Sequence, residues 1–517
     1  MKTIKIFSVI LSLLLTVALF ASCSASDKNA DAGLGDWVGG SPNMGADNEA
    51  AADGTDEGAT SDSQQTLAEN PFIDAAKSPI STFSADVDTA SYAYFRKLAS
   101  QGYSLAGLKN QIKQSPLRTE EMINYFDYSY TMPAEGEVFG VQTTVAKTPW
   151  NDNSYLLMLG LATEAVAEKG ANNLVFLIDV SGSMASADKL PLLKKAFSNL
   201  VSALDEKDVV SIVTYSGREA VVLSGCRGDR DEEIMNAINS LEAKGSTNGE
   251  AGMTKAYSLA KDYFIEGGNN RIIMASDGDL NVGISSEADL KAYIETKRNE
   301  GIFLSVLGFG TGNYKDAKMS ALAENGNGVY YYIDGEREAE KVLGEDLLST
   351  LYTVAKDVKL QLTFDSATVA KYRLIGYESR ILNTEDFEDD TKDAGDVGAG
   401  HTVTVCYELI LNDTAAVEGE PRDIATLGIR CKAPDALEST PYEYLITEAA
   451  ITNEPSDDFK YIACVIETAM ILNGSRYNAG GVTLAEVAEM LSALDLSGDE
   501  YKTEFRSIVE GLANSRE

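Results

Sequence analysis

The apolar positions of this chain change their period several times, and each change marks a boundary in its architecture. Between residues 171 and 352, short unbroken apolar runs alternate with stretches in which apolar residues recur every third or fourth position. Leu174–Ile178 is such a run, of the kind that fills a strand covered on both faces. Leu190, Leu193, Phe197, Leu200, Val201 and Leu204 then fall on one face of a helix. Val209–Thr214, Ile272–Ala275, Phe303–Phe309 and Tyr330–Ile333 are predicted strands, with Ala220–Leu223 a short edge strand. Glu232–Glu242, Glu250 to about Phe264, Glu287–Arg298, Tyr314–Ala323 and Glu336–Leu351 are predicted helices. Regular alternation of the two predicts an α/β fold, a doubly wound, mostly parallel sheet with right-handed crossovers.

The flanks follow another pattern. Phe139–Ala146 and Tyr155–Leu161 are predicted strands upstream of the module; Val358–Phe364, Tyr372–Tyr377, Thr402–Leu411 and Thr426–Ala433 are predicted strands after it. The upstream pair is too apolar to stand as an exposed ribbon, and a two-stranded hairpin is marginal alone. The two sides therefore predict one β-sandwich interrupted by the α/β module. Phe459–Leu472, Thr483–Ala493 and Tyr501–Leu512 are predicted helices, with Gly474 and Gly480-Gly481 as breakers. Pro71 to about Pro133 reads as a separate cap, in which Pro79–Tyr92 runs into a helix and Arg118–Phe126 forms a second. Asp86 and Asp88 are placed there either to ligate a metal or, more ordinarily, to lead into the helix with Thr89 as its cap. The expected divisions are 1–22, 23–70, 71–134 (cap), 135–170 (sandwich strands), 171–352 (α/β module) and 353–517 (strands, then helices).

At the amino end, Lys2 and Lys5 precede an apolar run from Ile6 to Phe20, and Ala21-Ser22 puts small residues before Cys23. This has the form of a bacterial lipobox. It implies export, cleavage before Cys23, and lipidation of that residue as the anchor to the cell membrane or outer membrane; an ordinary cleaved signal peptide or a retained anchor are the alternatives. Residues 24 to about 70 are acidic and hold hardly a large apolar side chain, so they read as a disordered tether. A net charge of −37, from 80 acidic against 43 basic residues, argues against nucleic acid and against docking on anionic lipid. Membrane attachment is then expected through the lipid.

Beyond Cys23 only Cys226, Cys406, Cys431 and Cys464 remain, without CxxC spacing. Cys406 and Cys431 lie on predicted strands, where buried free thiols are expected and pairing after export is the alternative. The single histidine, His401, removes HExxH chemistry and nearly all zinc sites, and its place at a strand's start suits a structural hydrogen bond better than general-base work. The acidic run from Glu385 to Asp396 lacks the glycine and ligand periodicity of a calcium loop and reads as a solvated loop.

Three fragments far apart in the chain carry the candidate chemistry: Asp179-Val180-Ser181-Gly182-Ser183, Gly245-Ser246-Thr247-Asn248-Gly249 and Ser276-Asp277-Gly278. Asp179 and Asp277 each follow an apolar strand, so both fall on the carboxyl edge of the sheet, where open α/β sheets bind ligands. Two carboxylates and three hydroxyls, with no imidazole or thiolate, form a hard oxygen set suited to Mg²⁺, Mn²⁺ or Ca²⁺. At these residues the chain resembles the von Willebrand factor type A fold (VWA) and its metal-ion-dependent adhesion site. The resemblance implies a metal held by Asp179, Ser181, Ser183, Thr247 and Asp277. The Ser81–Tyr92, Glu120–Phe126 and Tyr372–Glu378 stretches, with Asp393-Ala394-Gly395 and Gly398–Thr404, are similar to YfbK-type bacterial type A lipoproteins. The expected function is a non-enzymatic, surface-tethered binding protein whose metal accepts an Asp or Glu carboxylate of a protein partner. The alternatives are a structural envelope assembly factor and a metal-assisted hydrolase, the latter disfavoured because the three fragments supply neither a positioned base nor a second metal.

Overall fold

The computed structural model describes residues 68–515, apart from 166–169, 217–218, 246–248, 279–286, 311–315, 347–350, 413–420, 435 and 479. Cys23 and Thr247 lie outside the described residues. The first elements are β1 (Ile73–Asp74), β2 (Ile80–Ser84), α1 (Ala90–Ser100), α2 (Leu105–Ile112), α3 (Thr119–Asn124), β3 (Gly140–Lys147) and β4 (Tyr155–Ala162). The α/β module comprises β5 (Asn172–Asp179), α4 (Leu190–Ser202), β6 (Val209–Tyr215), β7 (Ala220–Arg227), α5 (Asp231–Asn239), α6 (Gly249–Asp262), β8 (Asn269–Ser276), α7 (Glu287–Asn299), β9 (Ile302–Phe309), α8 (Asp316–Asn325), β10 (Tyr330–Ile333) and α9 (Glu336–Lys341). The chain continues through β11 (Thr353–Phe364), β12 (Val369–Ile375), β13 (Gly395–Gly398), β14 (Thr402–Leu411), β15 (Asp423–Lys432) and β16 (Thr440–Thr447) to α10 (Asp457–Asn473), α11 (Leu484–Ser492) and α12 (Glu500–Ala513).

The module's sheet has the order β10-β9-β8-β5-β6-β7, parallel throughout except for the antiparallel edge strand β7. Around it stands a frame of two antiparallel sheets. One runs β1-β12-β14-β4-β3; the other runs β13-β11-β15-β16, with β2 also on β11. The apolar run of β4 has a simple cause, since both of its faces are covered. Leu157, Leu159 and Leu161 share the inter-sheet core with Leu360, Leu362, Tyr407 and Leu427. Leu156 and Met158 point the other way, as the two-residue period demands, and share a core with Phe459 and Ile462 of α10.

The module is an insertion in this frame. Thr163 N donates to the His401 carbonyl (3.0 Å) and Gly400 N to the Glu164 carbonyl (3.0 Å), while Ala399 N donates to the carbonyl of Tyr352 (2.8 Å). One turn, residues 399–401, thus holds both the chain entering the module and the chain leaving it, the arrangement that lets a domain be inserted without disturbing its host.

Several expectations are corrected. The segment 71–134 does not stand apart: β1 pairs with β12 and β2 with β11, so it contributes strands to both frame sheets. The physical reason is that unpaired edges of β11 and β12 require partners that sequence patterning cannot assign. Thr89 makes no side-chain cap to α1, and Asp86 and Asp88 bind Arg380 instead. The helix expected from Glu336 to Leu351 is regular to Lys341 and widens into a looser turn at Val342–Asp346; residues 347–350 lie outside the described residues, and Leu351 is again helical. The acidic run is exposed at Glu385, Glu388 and Asp389 but pinned elsewhere: Asp393 pairs with Arg298 (2.5 Å), and Asp396 accepts the backbone N–H of Asp357 (3.0 Å). At His401 the backbone makes the structural bonds, while Nδ1 is buried without a partner among the described residues and burial lowers the imidazole pKa. The cysteine expectation holds: Cys406 and Cys431 are buried free thiols, as are Cys226 and Cys464.

Candidate metal centre

β5 and β8 are neighbours in parallel register, with Ile178 opposite Ala275, and both end at the same edge of the sheet. Asp179 is the last residue of β5, and Asp277 follows the last residue of β8. Both acids are buried, at 0% and 3% exposure, because the loops after the strands fold back over them. The Asp179 loop is tightly determined. Asp179 Oδ1 accepts the Ser181 N–H at 2.8 Å, which turns the chain so that the Ser181 and Ser183 hydroxyls lie 2.9 Å apart. Ser181 is buried and Ser183 exposed, so the pair spans the boundary with solvent.

Two backbone bonds bring the second fragment to the first: Lys244 N donates to Val180 O (2.7 Å) and Gly182 N to Gly245 O (3.1 Å). Thr247 itself is outside the described residues, but its neighbour Gly245 is fastened to the serine loop. In the third fragment Ser276 Oγ accepts the Gly278 N–H at 3.2 Å, which fixes the turn after Asp277. Beneath the acids lies Tyr215, at the end of β6 opposite Asp179; burial, and then the Asp179 charge, push its phenol pKa well above the usual range. The tyrosine therefore stays neutral against the two acids.

Lys189 is the residue that the motif reading missed. Its Nζ lies 2.8 Å from Asp277 Oδ2 and donates to the Ser183 carbonyl at 3.0 Å. Its stem passes over Gly310, a residue at φ +76° where an added Cβ would collide with the lysine chain. In sequence Lys189 is only a polar residue leading into α4, and no local pattern distinguishes it from any solvated lysine.

The residues fit a divalent cation. Asp277 Oδ1 is buried and has no hydrogen-bond partner among the described residues, an arrangement that costs free energy unless a cation or water fills it. The surrounding donors are carboxylate and hydroxyl oxygens, the hard set that Mg²⁺, Mn²⁺ and Ca²⁺ prefer. Asp179, Ser181, Ser183 and Asp277 would hold the ion, with Thr247 the fifth residue of the motif.

The family model described as von Willebrand factor type A domain matches residues 173–345, one described as von Willebrand factor matches 59–158, and one described as Uncharacterized protein YfbK, C-terminal, matches 349–514. Over 471 residues the chain is 39% identical to the YfbK protein of Escherichia coli (strain K12), covering 86% of this chain and 80% of that one. The chain belongs to the YfbK family. Its similarity to the inter-alpha-trypsin inhibitor heavy chain H3 of Homo sapiens, 28% over 179 residues, is confined to 32% of this chain and 20% of that protein. Among solved structures, a von Willebrand factor type A protein from Catenulispora acidiphila aligns over 75% of this chain and 88% of its own, with a TM-score of 0.40 and 16% identity. Type A domains mediate protein–protein interaction or adhesion and often bind a divalent metal, and this chain matches one such domain at residues 173–345.

Proposed function

We propose that the chain is a non-enzymatic, surface-tethered binding protein, in which Asp179, Ser181, Ser183, Thr247 and Asp277 hold Mg²⁺ or a related ion that receives an Asp or Glu carboxylate of a protein partner. The observation that carries this reading is the pairing of two buried strand-end acids with a serine pair reaching solvent. A divalent cation held by these residues would supply a positive centre for an outside carboxylate. The chain's own residues prepare that position: the Ser181 N–H orients Asp179, the backbone bond from Gly182 to Gly245 holds the two loops together, and neutral Tyr215 adds no charge beneath them. Hydroxyl ligands are neutral, so they leave the ion with positive charge to attract an anion.

Attachment to the membrane is assigned to lipid on Cys23, with residues 24–70 as the spacer; among the described residues no helix is long and apolar enough to cross a membrane. Retention of the partner is the test. Pull-down from detergent extracts is expected to recover an acidic-tipped partner in Mg²⁺ and lose it in EDTA. Asp179→Ala should weaken Mg²⁺ binding at least about a hundredfold by calorimetry, with the far-UV spectrum retained, because Asp179 is the last residue of β5 and the strand's backbone pairing does not depend on its side chain. Equal affinity in the wild type and the variant would sink the assignment.

A further inference from the structure

The Lys189 ammonium carries three N–H donors, and two of them are spent on the candidate metal centre itself. One meets Asp277 Oδ2 at 2.8 Å and one the Ser183 carbonyl at 3.0 Å, while the third has no partner among the described residues. Asp277 lies beneath, its side chain 2% exposed, and Ser183 lies at the solvent side; Nζ stands on the rim between them, on a side chain 16% exposed. The two oxygens of Asp277 are thereby divided. Oδ2 goes to the lysine, and Oδ1 is the buried atom without a hydrogen bond among the described residues.

The ammonium is delivered to this rim by fixed parts of the fold. Lys189 N donates to the Ser186 carbonyl at 3.1 Å, and the Lys189 carbonyl accepts the Leu193 N–H at 2.9 Å, so the backbone is held from both sides as α4 begins. The neighbouring Asp188 accepts the Ser186 hydroxyl at 2.6 Å and lies 3.6 Å from Nζ of Lys97 on α1, which itself donates to the Asp334 carbonyl at 3.1 Å. The lysine stem runs over Gly310, which has no side chain to block it and whose carbonyl accepts the Tyr332 hydroxyl at 3.1 Å. Confining a flexible lysine in this way costs rotamer entropy, which a solvated surface lysine does not give up.

Resting on the function proposed above, we infer that Lys189 is the second cationic contact for the incoming carboxylate: a partner's Asp or Glu places one oxygen on the ion and the other on Nζ of Lys189. Charge balance carries the inference. Asp179 and Asp277 together match one divalent ion, and the hydroxyls of Ser181 and Ser183 and the neutral phenol of Tyr215 add no charge. Without Lys189, a third carboxylate would bring an unbalanced negative charge into a partly buried site, which is costly. With Lys189, the described residues and the ion carry one positive charge in excess, and a single carboxylate cancels it. The remaining N–H donor of the ammonium then makes a charge-assisted hydrogen bond. A site of this kind selects a monoanion over a neutral amide or hydroxyl. The same positive charge repels the ion and attracts the carboxylate, so its removal should move the two affinities in opposite directions.

Acetate is the probe, followed through the relaxation of its methyl protons by Mn²⁺ on the purified full chain, with acetamide as the neutral control. The wild type is expected to bind Mn²⁺ and to relax acetate saturably, leaving acetamide unaffected. Lys189→Met should weaken acetate binding at least about fivefold while Mn²⁺ affinity is retained or raised. Lys189→Gln, which keeps a donor for the Ser183 carbonyl without the charge, should weaken acetate to a similar degree. Acetate affinity unchanged in either variant, with Mn²⁺ bound, would overturn the role of Lys189 and leave the metal centre standing. A loss of acetate that only follows a loss of Mn²⁺ would overturn it too, making the lysine a support for Asp277 alone. Acetate relaxed no more than acetamide by the Mn²⁺-loaded wild type would overturn the carboxylate contact itself. Failure of the wild type and Lys189→Met alike to bind Mn²⁺ would instead overturn the proposed function, and the role of Lys189 with it.

Discussion

The two edges of the module's sheet hold acids under opposite conditions. At the upper edge Asp179 and Asp277 come from one domain, end neighbouring strands and sit beside hydroxyls that reach solvent, with an ammonium group from the same domain close by. At the lower edge Asp86, Asp88, Glu120 and Glu121 come from the N-terminal segment, are buried, and meet guanidinium groups from that segment and from the frame. The upper arrangement is local and open to a partner; the lower one exists only when three parts of the chain have come together. A change at the upper edge should therefore alter binding while sparing the fold. A change at a buried junction should alter both.

The largest effect is expected at such a junction on the module's flank. Arg96 of α1 lies 2.6 Å from Asp334 Oδ1, 2.7 Å from Glu338 Oε2 and 3.2 Å from Glu504 Oε2, and it donates to the Tyr125 hydroxyl at 2.8 Å. It is the shared cation of acids from α9, α12 and the turn after β10. Arg96→Leu is predicted to destabilise the chain by about 3–5 kcal/mol in urea unfolding, because it strands buried carboxylates. A loss under about 1 kcal/mol would show that the junction is held by packing alone.

Glu467 sharpens the contrast as a buried acid without a cluster. It lies in the middle of α10, its two oxygens lack partners among the described residues, and burial pushes its pKa up to about 8. Since the folded value is raised, the folded state holds the proton more tightly than the unfolded chain does. Its contribution is thus neutral below the unfolded pKa near 4.5 and grows more destabilising as pH rises toward 8, where it levels off. Glu467→Gln should stabilise the chain by about 3 kcal/mol at pH 7 and hardly at all at pH 4. A gain that does not vary with pH would remove titration as the cause.

The smallest effect is expected at the upper edge. Lys189 neutralises part of the site through Asp277, so Lys189→Met should tighten Mg²⁺ binding by up to about tenfold, more at low ionic strength, while slightly lowering the stability of the metal-free chain. Calorimetry at two salt concentrations checks this, and an unchanged affinity would mean that the lysine and the ion occupy separate positions.

The alternation of apolar runs and helical periods was sufficient to read the doubly wound module, because β5, β6, β8, β9 and β10 are buried along nearly their whole length and the helices between them cover the sheet. The strands β4 and β14 were legible for the same reason. β13 and β16 were missed: one has the sequence Gly395-Asp396-Val397-Gly398, with a single apolar side chain, and the other is a largely exposed edge strand. α2 was missed because only Leu108 and Ile112 of its eight residues are buried. In the candidate metal centre the acids and hydroxyls were legible as a motif, since strand ends and loops are local. Lys189 was not, as nothing in its neighbours indicates that its ammonium turns back to Asp277.

The sequence by itself determined the strand-terminal placement of Asp179 and Asp277, because a strand's apolar run ends where its burial ends. It determined the hard chemistry of that site for the same local reason. Only the tertiary structure decided that the segment 71–134 completes the frame and that four buried acids meet two guanidinium groups beneath the module. Those partners lie up to about three hundred residues apart, as Asp86 and Arg380 do. Charge pairing across such separations depends on strand register and on the closing of one sheet over another, which no local pattern of polar and apolar positions encodes.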